Sequence, residues 1–187
     1  MKNTFLACLL TVAGHAAHAE DLGKPRLLVA VPELQGLYSH TALIAVPVND
    51  EHVGFILNRA TALKLGTVFP EHAPSAKVVD PLYFGGPEMA GSVFAIVRGN
   101  PGEPSLPLFD GLFATASAQA VDRIIEQTPN DARYYAGFVG WRAGELAKEI
   151  AAGYWLVADP SAAVVFSKDS DDSLWKQLVE FLRLGRI

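Results

Sequence analysis

The stretch YAGFVGWRAGELAKEI, residues 135–150, changes along its length from the residue pattern of a strand to that of a helix. Its first half, up to Trp141, has the β-branched and aromatic residues of a strand, and its second half has the pattern of a helix. Arg142 is the expected N-cap, with Glu145 reaching back to its N–H as in a capping box and Trp141 packing on Leu146. Such a stretch can be an active-site elbow, a ligand cradle or a purely structural turn, and the structural turn accounts for most of its residue types without any ligand.

Outward from this stretch, strands are predicted mainly upstream and helices around and downstream of it. Runs rich in β-branched and aliphatic residues, separated by turn residues, predict strands over residues 26–31, 41–47, 53–57, 78–84, 92–98 and 108–114.

Helices are predicted where capping and stop signals frame an apolar face. One runs from an N-cap at Ser117 to Thr128, with Val121, Ile124 and Ile125 on its buried face. The helix of the opening stretch covers residues 143–152. Two further helical segments begin at Asp159-Pro160, where proline would occupy the first position of a short turn, and at Ser170. The buried face of the last helix is expected to carry Leu174, Leu178, Phe181 and Leu182.

Residues 1–19 have the three-part pattern of a secretory signal peptide. Lys2 supplies the charged start, residues 5–13 are apolar, and Ala17 and Ala19 make an A-x-A cleavage site. The apolar run is shorter than the roughly 20 residues that span a bilayer. We therefore expect residues 1–19 to be removed and the mature protein to be periplasmic or secreted.

Residues 20–187 are expected to form one domain without a transmembrane segment. Half of the residues are hydrophobic, which is enough for a packed core. The net charge is −5 and the basic residues are scattered, so nucleic-acid binding is not favoured. The single cysteine, Cys8, lies in the expected signal peptide, so the mature domain has no disulfide or thiol nucleophile.

The sequence contains no motif that indicates catalysis, a metal or a cofactor. A nucleophile elbow, a zinc-binding His-Glu-x-x-His, and the glycine-rich phosphate-binding loops are all missing from it. His40, His52 and His72 are the histidines left after the expected cleavage, and each is expected to be structural or solvated. A hydrolase would need a dispersed pair such as His40 with Asp110, within hydrogen-bond reach of each other. No catalytic residue is therefore predicted.

Two polar turns remain as candidates for binding. Asn58 and Arg59 end a predicted strand, and the asparagine can also simply bond its own backbone there. Gly85 and Gly86 permit a positive φ or a close approach of backbone, which again suits a plain turn. If these turns bind a ligand, their exposed N–H groups favour an anionic or peptide ligand.

These stretches together resemble the AlgH/YqgE-like family of bacterial proteins. The resemblance is carried, in order, by LLVAVPEL (27–34), YSHTALIAV (38–46), GFILNR (54–59), YFGGPE (83–88), GFVGWRAGELAKEI (137–150) and YWLVADP (154–160). It implies an α+β fold in which a bent, bifurcated, mostly antiparallel sheet forms a pseudo-barrel flanked by helices.

The resemblance implies no catalytic residue. The family label of transcriptional regulator reflects a regulatory phenotype and not an established DNA-binding site. Members of the family are typically cytoplasmic, so the signal peptide is the largest departure of this chain from the pattern.

The leading hypothesis is a non-enzymatic exported binding or accessory protein without metal or cofactor, whose partner is a protein or a small anionic ligand. The alternatives are a regulator acting on nucleic acid and a hydrolase. The predicted binding surface carries Asn58, Arg59, Gly85, Gly86, Trp141 and Glu145.

Overall fold

The strand-like half of residues 135–150 belongs to the central strand of the sheet in a computed structural model that describes residues 21–169 and 171–185. Within these residues the sheet has ten strands. They are β1 Arg26–Ala30, β2 Ala42–Val48, β3 Glu51–Ile56, β4 Ala60–Lys64, β5 Pro81–Phe84, β6 Glu88–Arg98, β7 Leu106–Pro107, β8 Leu112–Thr115, β9 Ala132–Trp141 and β10 Trp155–Ala158.

Five α-helices accompany these strands in the described part of the chain. They are α1 Leu65–Val68, α2 Ala118–Gln127, α3 Glu145–Ala151, α4 Ala162–Val165 and α5 Asp171–Arg183. Two 3-10 turns, Gly36–Tyr38 and Ala73–Lys77, lie in connecting segments. None of these helices combines the length and the apolar character that a membrane-spanning helix needs.

The sheet branches at β9. Its hydrogen-bonded path runs β10-β1-β2-β3-β9-β6-β8-β7. One edge of β9 pairs with β6, while the other edge pairs first with β5 in parallel and then with β3 in antiparallel orientation. β5 in turn carries β4, and all pairs except β5 with β9 are antiparallel. The predicted α+β class and the mostly antiparallel, bifurcated sheet are confirmed.

The main core joins strands from distant parts of this path. Leu27 of β1, Ile96 of β6 and Leu112 of β8 belong to one buried cluster, which Val165 and Trp175 of the C-terminal helices complete. A second cluster lies under α2, and a third holds α3 against β9 and β10. Burial of this apolar surface is the main favourable contribution to folding.

The strand predictions are confirmed in place but not in every boundary. The strand predicted over 78–84 begins only at Pro81 in the structure, and residues 73–77 before it form a 3-10 turn. The prediction over 108–114 becomes β8, which starts at Leu112. β4, β7 and β10 were not predicted; β4 is mostly exposed and β7 has two residues, so neither has a clear apolar alternation.

The helix from Ser117 is confirmed, since the Ser117 hydroxyl accepts a hydrogen bond from Ala120 N–H and the predicted apolar face is buried. The short helix after Asp159 is capped by Ser161, one residue beyond the predicted proline position. On α5 the prediction is wrong for Phe181, which is exposed, whereas Trp175 and Val179 are buried. The expected cap at Ser170 and the expected signal peptide lie outside the described residues.

Candidate functional site

A polar groove of about 550 Å³ lies where β9 ends and α3 begins. Because antiparallel neighbours run in opposite directions, the first residues of β3 and β6 flank the last residues of β9. We call this site the acidic groove. It is lined by Glu51, His52, Val53, Glu88, Phe138, Gly140, Trp141, Arg142 and Glu145.

The charges of the acidic groove are unbalanced. Among the described residues that line it, Glu51, Glu88 and Glu145 contribute three exposed carboxylates, whereas Arg142 contributes the one guanidinium. Burial raises the pKa of Tyr38, and the Glu149 and Glu88 carboxylates raise it further. The groove therefore favours a cationic group over an anionic one.

His52 is held in one orientation by the segment before β1. Its Nε2 lies 2.9 Å from the carbonyl oxygen of Leu22, which can only accept, so Nε2 carries the proton. The Nδ1 atom is then an acceptor; it is buried and has no hydrogen-bond partner in the described part of the chain. The Nε2 atom of His52 is thus hydrogen-bonded, as expected for a structural histidine, whereas its Nδ1 atom has no partner among the described residues.

Glu145 reaches back as predicted, although the helix does not start where predicted. Its Oε2 accepts a hydrogen bond from Arg142 N–H at 2.9 Å. The helix begins only at Glu145, because Gly144 has φ of 76° and interrupts the helical path. The N-cap prediction at Arg142 is therefore wrong, while the contact that motivated it is present. Trp141 and Leu146 share a buried cluster, as the hydrophobic staple predicts.

Trp141 joins the groove to the interior. Its ring is buried, and its indole Nε1–H donates to Glu149 Oε2 at 3.0 Å. The same carboxylate oxygen accepts a second hydrogen bond, at 2.8 Å, from Trp155 Nε1–H. Glu149 therefore holds α3 against β9 and β10, and the indole N–H of Trp141 is not available to a ligand.

Asn58 has a structural role. Its side chain is buried, accepts a hydrogen bond from Ala42 N–H at 2.9 Å and donates to the carbonyl of His40 at the same distance. Arg59 likewise donates to the carbonyl of Ser39 and to the hydroxyl of Thr41. Both side chains fix the segment that leads into β2, and neither lines the acidic groove.

The two glycines are packed inside the branch of the sheet. Gly85 N–H donates to Ala136 and its carbonyl accepts from Ile56, so the N–H expected to meet an anion is already used. A Cβ on Gly85 would lie 2.3 Å from the carbonyl oxygen of Gly137, and one on Gly86 would lie 2.2 Å from the backbone of Phe138. Of the six predicted surface residues, the acidic groove thus contains Trp141 and Glu145.

The residues of the acidic groove that the sequence did not indicate are Glu51, Glu88 and Phe138. Each belongs to a different strand, and although Glu88 and Phe138 stand in stretches that carry the family resemblance, nothing local marks the three residues as neighbours. No signal in the sequence indicates Glu51 and Glu88, because the strands predicted over 53–57 and 92–98 begin after them, whereas in the structure each is the first residue of its strand.

A second cavity, of about 610 Å³ and mostly apolar, adjoins the groove. We call it the apolar cavity. Val53 and Phe138 line both spaces, so the two are neighbours across these side chains. The remaining apolar wall is formed by Val48, Phe55, Phe94, Leu106 and Ala114.

The pair proposed for a hydrolase is not brought together by a hydrogen bond or ion pair of the described residues. His40 instead stacks on Trp175 with ring centroids 4.1 Å apart, and its Nδ1 lies 3.4 Å from Asp172. Asp110 lies in the turn before β8. Among residues 21–169 and 171–185, no three His, Cys, Asp or Glu side chains are arranged to hold a metal ion.

Three arginines of the described residues either contact other parts of the chain or lie among acidic side chains. Arg133 is buried and donates to the carbonyls of Val165 and Ser167, while Arg98 lies over the ring of Phe166. Arg142, at the groove, is surrounded by carboxylates. The arrangement adds nothing to the hypothesis of nucleic-acid binding.

The fold defines an α+β protein with a branched, mostly antiparallel sheet, and two solved structures share it. The solution structure of the AlgH protein from Pseudomonas aeruginosa superposes with a TM-score of 0.69 at 23% identity, covering 88% of this chain and 89% of that one. A crystal structure of a Corynebacterium diphtheriae protein gives a TM-score of 0.67 at 23% identity, covering 83% and 85%.

The family model described as "DUF179: AlgH-like" matches residues 27–185, and the chain belongs to this family. A UPF0301 protein of Chlorobium phaeobacteroides is 31% identical over 166 residues, which are 86% of this chain and 87% of the relative. A UPF0301 protein of Chlorobium limicola is 29% identical over 158 residues, 82% of each chain. The predicted family resemblance is confirmed.

Proposed function

We propose that this AlgH-like protein is a non-enzymatic exported binding protein whose site is the acidic groove. One observation carries the proposal. Three exposed carboxylates from β3, β6 and α3 converge on one groove, where a single arginine opposes them. Like charges placed together are unfavourable for folding, so a cationic ligand would relieve their repulsion.

The ligand is therefore a molecule or peptide segment with positive charge. This differs in sign from the anionic ligand that the glycine turns suggest, because Gly85 N–H is consumed within the sheet. The export part of the proposal rests on the signal-peptide pattern of residues 1–19.

Binding is tested on residues 20–187, labelled with ¹⁵N, with trilysine peptide as probe. We expect trilysine to change the amide chemical shifts of residues 51–53 and 138–145. In the Glu51→Gln/Glu88→Gln variant these chemical-shift changes are expected to be several-fold smaller. Glu180→Gln, an exposed carboxylate of α5 outside the groove, is the matched control. Shifts with triglutamate but not trilysine would overturn the proposed charge, and shifts with neither would overturn the site.

Export is tested by the intact mass and compartment of the natively expressed protein. The expected result is a chain that begins at Glu20 in the periplasmic or extracellular fraction. A full-length chain in the cytoplasm would contradict export and restore the regulator hypothesis, which predicts salt-dependent DNA binding.

A further inference from the structure

We propose that the acidic groove and the apolar cavity form one continuous site for a small cationic amphiphile. The apolar body of the ligand lies in the cavity, and its cationic head lies among the carboxylates of the groove. The inference rests on the proposed function, because it assigns the head to the same groove. It adds the second half of the site and the chemical class of the ligand.

The first argument is the shared wall. Val53 and Phe138 line both spaces, and they lie close together because Val53 pairs with Gly140 across β3 and β9. Phe138 also pairs with Glu88, one of the carboxylates of the groove. A ligand that extends past these two side chains therefore leaves an apolar environment and enters an acidic one.

The second argument is the character of the cavity. Phe94 stands between Phe55 and Phe138, with ring centroids 5.7 and 5.6 Å away and edge-to-face geometry. The volume of about 610 Å³ lies within the range of small-molecule sites in proteins. An open space walled by aromatic rings is filled favourably by an apolar group.

The third argument is the charge at the cavity itself. Of the described residues that line it, Glu103 is the charged one; it is exposed, and its carboxylate is held by a hydrogen bond from Ser105 N–H. The Thr115 hydroxyl is occupied by the carbonyl of Pro104 and by Ser117 N–H. The cavity and the groove thus both carry negative charge, so binding of an anionic amphiphile such as a fatty acid is disfavoured.

The test uses alkyltrimethylammonium ions with tails of different length, kept below their critical micelle concentrations. Affinity for residues 20–187 is measured by calorimetry, and circular dichroism checks that the protein stays folded. We expect about a fourfold gain in affinity for each added methylene that enters the cavity. Decyl sulfate and decyl maltoside, with the same tail and a different head, are expected to bind at least tenfold more weakly.

Two variants locate the two halves of the ligand. Ala116→Trp places a large ring in the cavity from an exposed position and is expected to abolish the dependence on tail length. Ala118→Trp, two residues further on at an exposed position outside the cavity, is the control and is expected to keep it. Glu51→Gln/Glu88→Gln is expected to remove the preference for the cationic head.

The outcomes separate this inference from the proposed function. If trilysine binds the groove but affinity for the ammonium ions is independent of tail length, the inference is overturned and the proposed function stands. If all three decyl compounds bind equally, the cavity holds tails without selecting a cation, and the inference is again overturned. If neither trilysine nor any ammonium ion binds, both fail together.

Discussion

Asn58 shows how a polar residue at a strand end can suggest a binding site and yet belong to the interior. It is 4% exposed, and its amide satisfies one backbone donor and one backbone acceptor. A buried backbone group that loses its partner destabilises the protein by about 1–3 kcal/mol. Its residue type is therefore explained by the segment it holds, and no ligand is needed to explain it.

Asn58→Ala is expected to lower the free energy of unfolding by about 2–4 kcal/mol, because Ala42 N–H and the His40 carbonyl both lose their partner. The measurement is urea unfolding at neutral pH. Asn100→Ala is the control, since Asn100 makes one exposed hydrogen bond within its own loop; a change under about 1 kcal/mol is expected. An equally small change for Asn58→Ala would show that its hydrogen bonds do not stabilise the fold.

At the scale of elements, α3 is held to the sheet mainly through one acidic side chain and one apolar one. Glu149 accepts from the indoles of Trp141 on β9 and Trp155 on β10, and Leu146 packs in the same cluster. The C-terminus of the helix is closed by Gly153, whose N–H donates to the Ile150 carbonyl, and by Tyr154, whose N–H donates to the Glu149 carbonyl, in a Schellman arrangement. These contacts attach α3 to β9, the strand whose last residues line the acidic groove.

Glu149→Ala is expected to destabilise the protein by about 2–4 kcal/mol, because two indole N–H groups lose their acceptor. Glu149→Gln keeps an oxygen at the same place and is expected to recover at least half of the loss. Thermal unfolding followed by tryptophan fluorescence gives the comparison. Equal stability of the two variants would mean that the shared acceptor contributes little.

At the scale of the whole molecule, the branch point of the sheet contains ionisable groups that the fold keeps neutral. Burial raises the pKa of both Tyr134 and Tyr135 above the usual value of tyrosine; Asp131 adds to the effect at Tyr134, and Arg133 opposes it at Tyr135. In the unfolded chain these hydroxyls ionise near pH 10. The stability that depends on them is therefore complete below about pH 10 and is lost as pH rises further.

The free energy of unfolding is accordingly expected to fall above about pH 10, by about 1.4 kcal/mol per pH unit for each of the two tyrosines. Tyr135→Phe should make this fall less steep, since phenylalanine has no proton to lose. The measurement is urea unfolding between pH 8 and pH 11. The same slope in the wild type and in Tyr134→Phe/Tyr135→Phe would exclude these hydroxyls as its cause.

Local pattern determined most of the elements of this protein. Runs of β-branched and aliphatic residues predict β1, β2 and β3, and the cap at Ser117 predicts α2, because neighbouring residues produce these signals. The order of family-like stretches likewise indicates the AlgH-like fold before any tertiary structure is known. The same local reasoning placed the start of α3 two residues early, because the left-handed turn at Gly144 leaves no apolar signature.

Tertiary structure alone decided the site. Glu51, Glu88 and Glu145 come from three elements far apart in the chain, and only antiparallel pairing around β9 brings their carboxylates to one groove. Asn58 and Gly85 are the opposite case: the sequence suggests that their polar groups are free to bind a ligand. In the structure these groups form hydrogen bonds with the backbone of strands distant in the chain. The meeting of these carboxylates and the burial of these turn residues depend on contacts between distant parts of the chain, so no local pattern of residues specifies them.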